Sequence, residues 1–278
     1  MTTDTEIQAS ARVERRAGQA SWTTTVPAWV ITTLSVAVAT GLWEFFGRDV
    51  NPLLGTYPSA IIKAFFSMLQ TGRLQDALIQ SSQPFIVGYI VAAIVGIPVG
   101  LLLGRYRILE SALGIYVTAG YATPLIALVP LLILWFGLGF MVKAVVVFLL
   151  SFFPICINAW FGVKAVPKTM IEVGTAFCAS QTAIMRGIIL PATIPYIMAG
   201  LRLGIGKAVI GIVIAEFLTA ISGLGGIIIT SANSFRTAEM FVPVILIMVL
   251  AVALTALVGW LEKYVAPWQS EITGHDSV

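Results

Sequence analysis

Charge is the scarcest commodity in this chain. Only 10% of its 278 residues are Asp, Glu, Lys or Arg, against 58% hydrophobic, and the mean hydropathy is +0.96. A soluble domain carries about 25% charge and about 45–50% apolar residues. The shortage excludes a soluble enzyme with a polar shell, a disordered chain and a nucleic-acid-binding module. Histidine is nearly absent too. The single His275 lies near the C-terminus, which leaves none for a zinc site or His-based catalysis inside an apolar environment. Cys156 and Cys178 stand in different contexts and form no metal-ligand spacing.

What is there is apolar length. Lipid is the solvent that accepts so many apolar side chains, so the sequence reads as an all-α, polytopic membrane protein. At about 20 apolar residues per crossing plus connections, the length allows five to seven spans. In a membrane protein the placement of basic residues matters more than the net charge of +3.

Residues 1–26 are polar, with Arg12, Arg15 and Arg16 close together, and show no short apolar core with a small-residue cleavage site. They are expected to form a cytoplasmic tail. A first span is expected from about Trp29 to Phe46, with Trp29 and Trp43 near its ends as interfacial aromatics. From Asn51-Pro52 to about Gln83 the chain is not expected to span. Within that stretch Pro58-Ser59 opens a pattern of Ile61, Ile62, Phe65, Phe66 and Leu69, which suits an amphipathic helix on the outer face.

The second span is expected over about Pro84–Leu103, with a ladder of Gly96, Gly100 and Gly104 that would admit a close helix neighbour. Arg105 and Arg107 end it. The third, about Tyr116–Phe136, is interrupted by Pro124 and Pro130. Each removes a backbone donor, and the broken backbone either kinks a simple span or lines a transport path. The fourth is expected at about Val142–Phe161, the fifth at about Ile194–Ala220 and the sixth at about Phe241–Trp260. Ser222-Gly-Leu-Gly-Gly226 is expected to break off the fifth span. The domain organisation is thus a tail (1–26), a first span with its outer segment (27–83), a core (84–268) with a polar loop at 162–191, and a C-terminal tail (269–278).

Six spans with the N-terminus inside put Arg12, Arg15, Arg16, Arg105, Arg107, Lys164, Lys168, Arg186 and Lys263 on the inner side. Arg48, Lys63, Arg73, Lys143 and Arg236 fall outside. Nine basic residues against five place both termini in the cytoplasm.

The stretch Val166–Pro191 is too polar to span and too patterned for a plain linker. Pro167 suits the first turn of a helix, and Met170, Ile171, Gly174 and Phe177 form a modest apolar stripe. Cys178-Ala179-Ser180 reads as a turn, with Ser180 able to cap a second helix over about Gln181–Ile189 that ends before Leu190-Pro191. The product is a helix–turn–helix offered to something outside the membrane.

This stretch resembles the EAA loop of bacterial ABC-importer permeases. Glu172, the small residues that follow, and Ile188, Leu190 and Pro191 fall where that loop has its glutamate, small residues, isoleucine and Leu-Pro. Gly174 also matches, and Ala176, Ala179 and Ser180 belong to the same run. Gly200-Leu201-Arg202, Ala215-Glu216 followed by Gly223-Leu-Gly225, and Thr123-Pro124-Leu125 through Pro130 with Leu134-Trp-Phe-Gly137 are similar to the nitrate, sulfonate, taurine and bicarbonate branch. The resemblance covers roughly residues 80–268. Two positions depart from it: Cys178 replaces a glycine, and Val173 an alanine.

The resemblance implies a type I ABC importer-like fold and a subunit of the bacterial inner membrane. It implies a homodimer of permeases, two ATPase subunits on the cytoplasmic loops and an external solute-binding protein. Glu172, Gly174, Ala176, Cys178, Ala179, Ser180, Ile188, Leu190 and Pro191 would couple to the ATPase. The solute would be an oxyanion such as nitrate, sulfonate or taurine, or a vitamin precursor. If the family's turn is kept, Cys178 takes the left-handed conformation that glycine adopts freely; otherwise the turn has another form with negative φ. No cofactor is expected in this chain, with ATP and magnesium on the partner. Its only glycine–lysine run, Gly204-Ile-Gly206-Lys207, lacks the earlier glycine and the Ser or Thr of a phosphate-binding loop.

Ionisable groups inside a span are costly and often functional. Arg202, about 12 Å from the inner end of the expected fifth span, reads either as a snorkelling anchor or as a substrate contact. Lys207 is deeper, and Glu216 lies toward the outer end. With Pro124 and Pro130 these three are the candidate residues of a translocation path. A secondary transporter driven by an ion gradient is the competing class. It would show internal symmetry and several buried carboxylates, whereas this sequence has no clear repeat and one deep carboxylate, Glu216. A membrane enzyme would need clustered His, Asp, Glu or a nucleophile–base pair, and none is evident.

Overall fold

The computed structural model describes residues 27–219 and 222–267. The expected tails and Ala220 lie outside them. Among the described residues the chain is helical throughout, and it divides into two compact units, residues 1–60 and 61–278.

In the first unit, α1 (Ala28–Gly47) is an apolar helix long enough to cross a membrane. The chain then folds back on its C-terminal end. The Trp43 indole N–H donates to the Thr56 carbonyl at 2.9 Å, and the Glu44 carboxylate accepts from the Ser59 N–H and hydroxyl at 2.9 and 2.8 Å. Glu44 also binds Arg48, whose guanidinium it holds above its ordinary pKa, and Arg48 lies over the Tyr57 ring. Pro58 opens α2 (Pro58–Gln70), the amphipathic helix expected from the pattern.

The second unit is built around α6 (Phe140–Lys164), the most buried of the long helices. One flank packs on α3 (Arg73–Arg105). A β-carbon on Gly88, Gly96, Gly100 or Gly104 would press on the backbone of α6 or on the side chains of Val147, Ile155, Ala159 and Val163, so the glycine ladder does mark a helix contact. The other flank packs on α8 (Gln181–Thr219), where Gly200, Gly204 and Gly211 admit Ile155, Asn158 and Leu150. With little hydrophobic driving force between helices in lipid, this close backbone approach supplies van der Waals contact. The last long helix, α10 (Thr237–Val265), covers α8 through Met198, Ile205 and Val258.

Several boundaries differ from the sequence reading, each for a local reason. The second long helix begins at Arg73, eleven residues before Pro84, because Gly72 in the left-handed region (φ 75°) starts it and Pro84 is accommodated inside. The third span is a bent pair. α4 (Arg107–Ala122) and the segment Leu125–Phe136 meet at 86°. The break lies at Thr123-Pro124 alone. Pro130 sits in the first turn of α5 (Val129–Phe136), where the missing N–H leaves no bond unmade. Among the described residues there are therefore five helices able to cross, or six if the bent pair is one span.

The expected stop before Leu190-Pro191 does not occur. Met185–Ile189 is a π-helical turn in which the Leu190 N–H reaches the Met185 carbonyl. The widened register falls just ahead of Pro191, which has no donor to offer, and the helix runs on. The second loop helix and the fifth span are thus one 39-residue helix, α8. Nor does Ser222–Gly226 act as a plain breaker, since it opens an unforeseen short helix, α9 (Gly223–Asn233).

Candidate functional site

Two constellations stand at opposite ends of α8. The first is the loop at its N-terminal end. Pro167 stands immediately before α7 (Lys168–Ala176), one residue ahead of the first turn in which the sequence placed it. The C-terminus closes with a paired turn: the Cys178 N–H bonds the Thr175 carbonyl at 2.9 Å and the Ala179 N–H bonds the Gly174 carbonyl at 3.0 Å. That is the Schellman arrangement, with Cys178 at its left-handed position. Its φ is 53°, so this chain keeps the turn that glycine would favour and places a β-carbon in it. Ser180 then accepts from the Ala183 N–H at 3.2 Å and caps α8.

Gly174 is what lets α7 lie against α8. A β-carbon there would stand 3.0 Å from Ile188 Cδ1 and 3.1 Å from Ile184 Cγ1. Beneath them Val163, Val166, Ile184 and Ile189 form a buried cluster, with Ile171 and Ala179 packed on it. The expected apolar stripe is therefore two faces. Ile171 and Gly174 turn inward, while Met170, Val173 and Phe177 point out, Phe177 with 83% exposure. Glu172 and Ala176 are exposed beside them, and Leu190 and Pro191 continue into α8. Arg105 at the end of α3 bonds Gln181, and Lys164 at the end of α6 pairs with Glu110, so this end of the unit is tied together by polar contacts.

The second constellation lies at the far end of α8. Glu216 is fully buried. Its Oε1 accepts from Ser81 at 2.8 Å and from the Lys143 ammonium at 3.1 Å; its Oε2 accepts from the Gly225 N–H at 2.8 Å. Lys143 also donates to the Ser222 hydroxyl at 2.9 Å, and the Ser81 hydroxyl accepts from the Leu224 N–H at 2.9 Å. Gln80 accepts from the Gly223 N–H at 3.2 Å. A carboxylate suits the positive end of α9, and its charge is matched by the buried ammonium. At Gly223 the Glu216 carboxylate occupies the space a β-carbon would need, and φ is 86°; at Gly225 the Glu216 Cβ occupies it, 2.7 Å from where a β-carbon would stand.

This corrects one reading. Lys143 is 3% exposed inside α6, not a basic residue of an outer connection. Glu216, expected toward the outer end of the fifth span, pairs with it inside the same subunit. The one carboxylate of the fifth span and a lysine in the first turn of an apolar helix were the available signal for the pair.

Arg202 pairs with Glu262 of α10, a partner that sequence reasoning passed over. Lys207 is exposed on the α8 face that also carries Leu203, Gly206 and Ile210, and it forms no ion pair among the described residues. Along the helix axis Lys207 is about 7 Å from Arg202 and about 13 Å from Glu216, so the three charges do not converge on one site. Pro124 is exposed at the bend, and Pro130 is exposed in the first turn of α5 beyond it.

Known proteins place this arrangement. Residues 96–271 match the model of the family described as binding-protein-dependent transport system inner membrane component. A proposed ABC transporter permease of Methanocaldococcus jannaschii is 33% identical, covering 84% of this chain and 90% of that one. The riboflavin transport permease RibX of Chloroflexus aurantiacus is 30% identical over 77% of this chain and 80% of its own length. The proposed aliphatic-sulfonate permease SsuC of Bacillus subtilis is 28% identical over 88% and 90%. In three dimensions an inward-facing structure of the MetNI methionine ABC transporter has the same fold, with TM-score 0.57, 17% identity and coverage of 67% of this chain and 93% of that chain. Apolar helices long enough to cross, the type I importer permease fold and the family match agree: the chain is a multi-pass membrane protein and belongs to the binding-protein-dependent inner membrane components, the permease subunits of ABC transporters.

Proposed function

We propose that this chain forms, as a homodimer, the translocation path of an ATP-driven importer for a small anionic solute. The observation that carries the reading is the exposed face of α7. Met170, Val173 and Phe177 project from a helix seated firmly on α8, beside Glu172. Apolar side chains held on a rigid base suit a protein partner rather than water. The partner in this reading is an ATPase subunit, one per copy, which carries the ATP and magnesium. The loop and both termini then lie in the cytoplasm of a bacterial inner membrane, and an external binding protein delivers the solute to the opposite face.

The solute class follows from Lys207. An ammonium about 18 Å from the far end of α8 lies at membrane depth, where contact with lipid is costly. A water-filled path satisfies it, and an unneutralised cation there favours an anion. Sulfonates and related oxyanions fit, as would an anionic vitamin precursor. Arg202 and the bent segment carrying Pro124 and Pro130 complete the proposed path.

The test is co-expression with the ATPase and binding protein, then uptake of radiolabelled taurine or an alkanesulfonate into membrane vesicles. Uptake is expected only with ATP. Glu172→Lys is expected to insert normally but to lose ATPase on purification, and normal ATPase recovery would overturn the loop's assignment. Lys207→Met is expected to keep the ATPase and lose sulfonate uptake; full uptake would remove Lys207 from the path.

A further inference from the structure

Glu216 has work that a path residue would not need. It is fully buried and stands where four helices meet: α3 through Ser81, α6 through Lys143, α8 through its own backbone, and α9 through the Gly225 N–H. Everything near it serves to hold the first turn of α9. Leu224 is bonded to Ser81, Gly223 to Gln80, and Ser222 to Lys143. Gly223 has no room for a side chain because the Glu216 carboxylate fills it, and Gly225 none because the Glu216 Cβ and the Val213 carbonyl do. A polar cavity of about 300 Å³ lined by Arg73, Asp76, Gln80, Ser222 and Thr230 opens beside this turn.

Toward the other end of α8, about 42–48 Å along its axis from Glu216, sit Ile188 and Ile184, against which α7 is packed through Gly174. The π turn at Met185–Ile189 keeps α8 continuous where Pro191 would have interrupted it. One helix therefore joins the exposed α7 to the anchored start of α9.

We propose that Glu216 is a positioning residue for transport, a clamp that makes α9 move with α8, so that displacement of the α7 loop is delivered to the opposite face of the subunit. Lys143 neutralises the clamp, and Ser81 bridges it to α9. Burying this charge is worthwhile only if its hydrogen bonds are all made, and two of the four donors to Glu216 and Ser81, the Gly225 and Leu224 N–H groups, belong to α9. The proposal rests on the permease reading above.

The experiment uses the complete complex with ATPase and binding protein in nanodiscs, and compares basal ATP hydrolysis with hydrolysis stimulated by loaded binding protein. A wild-type complex that fails to assemble or shows no stimulation refutes the permease reading, before any variant is tested. Glu216→Met with Lys143→Met removes both charges and keeps side-chain volume, but leaves the Gly225 N–H without an acceptor and Ser81 without its carboxylate partner. It is expected to assemble with basal hydrolysis retained and stimulation reduced about tenfold or more. Glu216→Gln with Lys143→Met keeps an acceptor and is expected to retain most of the stimulation. Hydrogen exchange at residues 223–226 should rise in the first double variant and not in the second. Should the Met pair fail to assemble, Ser81→Ala serves in its place, with stimulation expected to fall about threefold and exchange at Leu224 to rise. Unchanged stimulation in the Met pair or in Ser81→Ala, or equal loss in both double variants, overturns the clamp.

Discussion

Gly174 and Ile188 meet across the elbow of the α7 loop, with Ile188 Cδ1 only 3.0 Å from where a β-carbon on Gly174 would stand. The contact lets a nine-residue helix, too short to be stable alone, borrow rigidity from the start of α8. Its partner Ile184 is 1% exposed and cannot yield freely.

Gly174→Val is accordingly expected to push α7 away from α8 and destabilise the loop by about 1–3 kcal/mol. Faster trypsin cleavage at Lys168 and weaker ATPase recovery are the measurements. Gly174→Ala is expected to be much milder, since helix propensity gains offset the smaller overlap. Equal behaviour of the two variants would show that the packing is not what holds the loop.

Cys178 occupies a left-handed position with φ 53°. A β-carbon there costs about 1–2 kcal/mol, and glycine returns part of that as unfolded-state freedom. Cys178→Gly is therefore expected to raise the stability of the purified complex by about 1 kcal/mol or less, with uptake preserved. Loss of uptake in this variant would assign the thiol a specific role.

The two cysteines also report topology. Cys178 is exposed and Cys156 buried between helices. In cells expressing the chain without its ATPase, a membrane-impermeant thiol reagent is expected to reach Cys178 in inverted vesicles and not from outside. Cys156 should react slowly from either side. Labelling of Cys178 in intact cells would reverse the proposed orientation.

The features legible in the sequence are those whose cause is local. Long apolar runs located the helices, because each side chain's transfer to lipid is a property of its own composition. Pro58, Pro167 and Ser180 marked helix starts, and Cys178-Ala179-Ser180 read as a turn whose left-handed form only the resemblance suggested, because caps and turns close within a few residues. Even the Gly96–Gly100–Gly104 ladder announced a close contact, although not which helix would fill it.

The pairings were decided only in three dimensions. Lys143 and Glu216 are 73 residues apart, and Arg202 and Glu262 are 60 apart; each looked unpaired until the helices packed. Gly223 and Gly225 read as a break, yet they are the space into which a buried glutamate fits at the start of α9. Pro191 read as a stop, yet a π turn carried the helix through it. By itself the sequence determined the lengths and ends of most elements and the character of the α7 loop, since burial in lipid and capping act on neighbouring residues. Tertiary structure decided which charges neutralise one another and which glycines admit a neighbour, because desolvation and close packing depend on atoms the chain brings together from far apart.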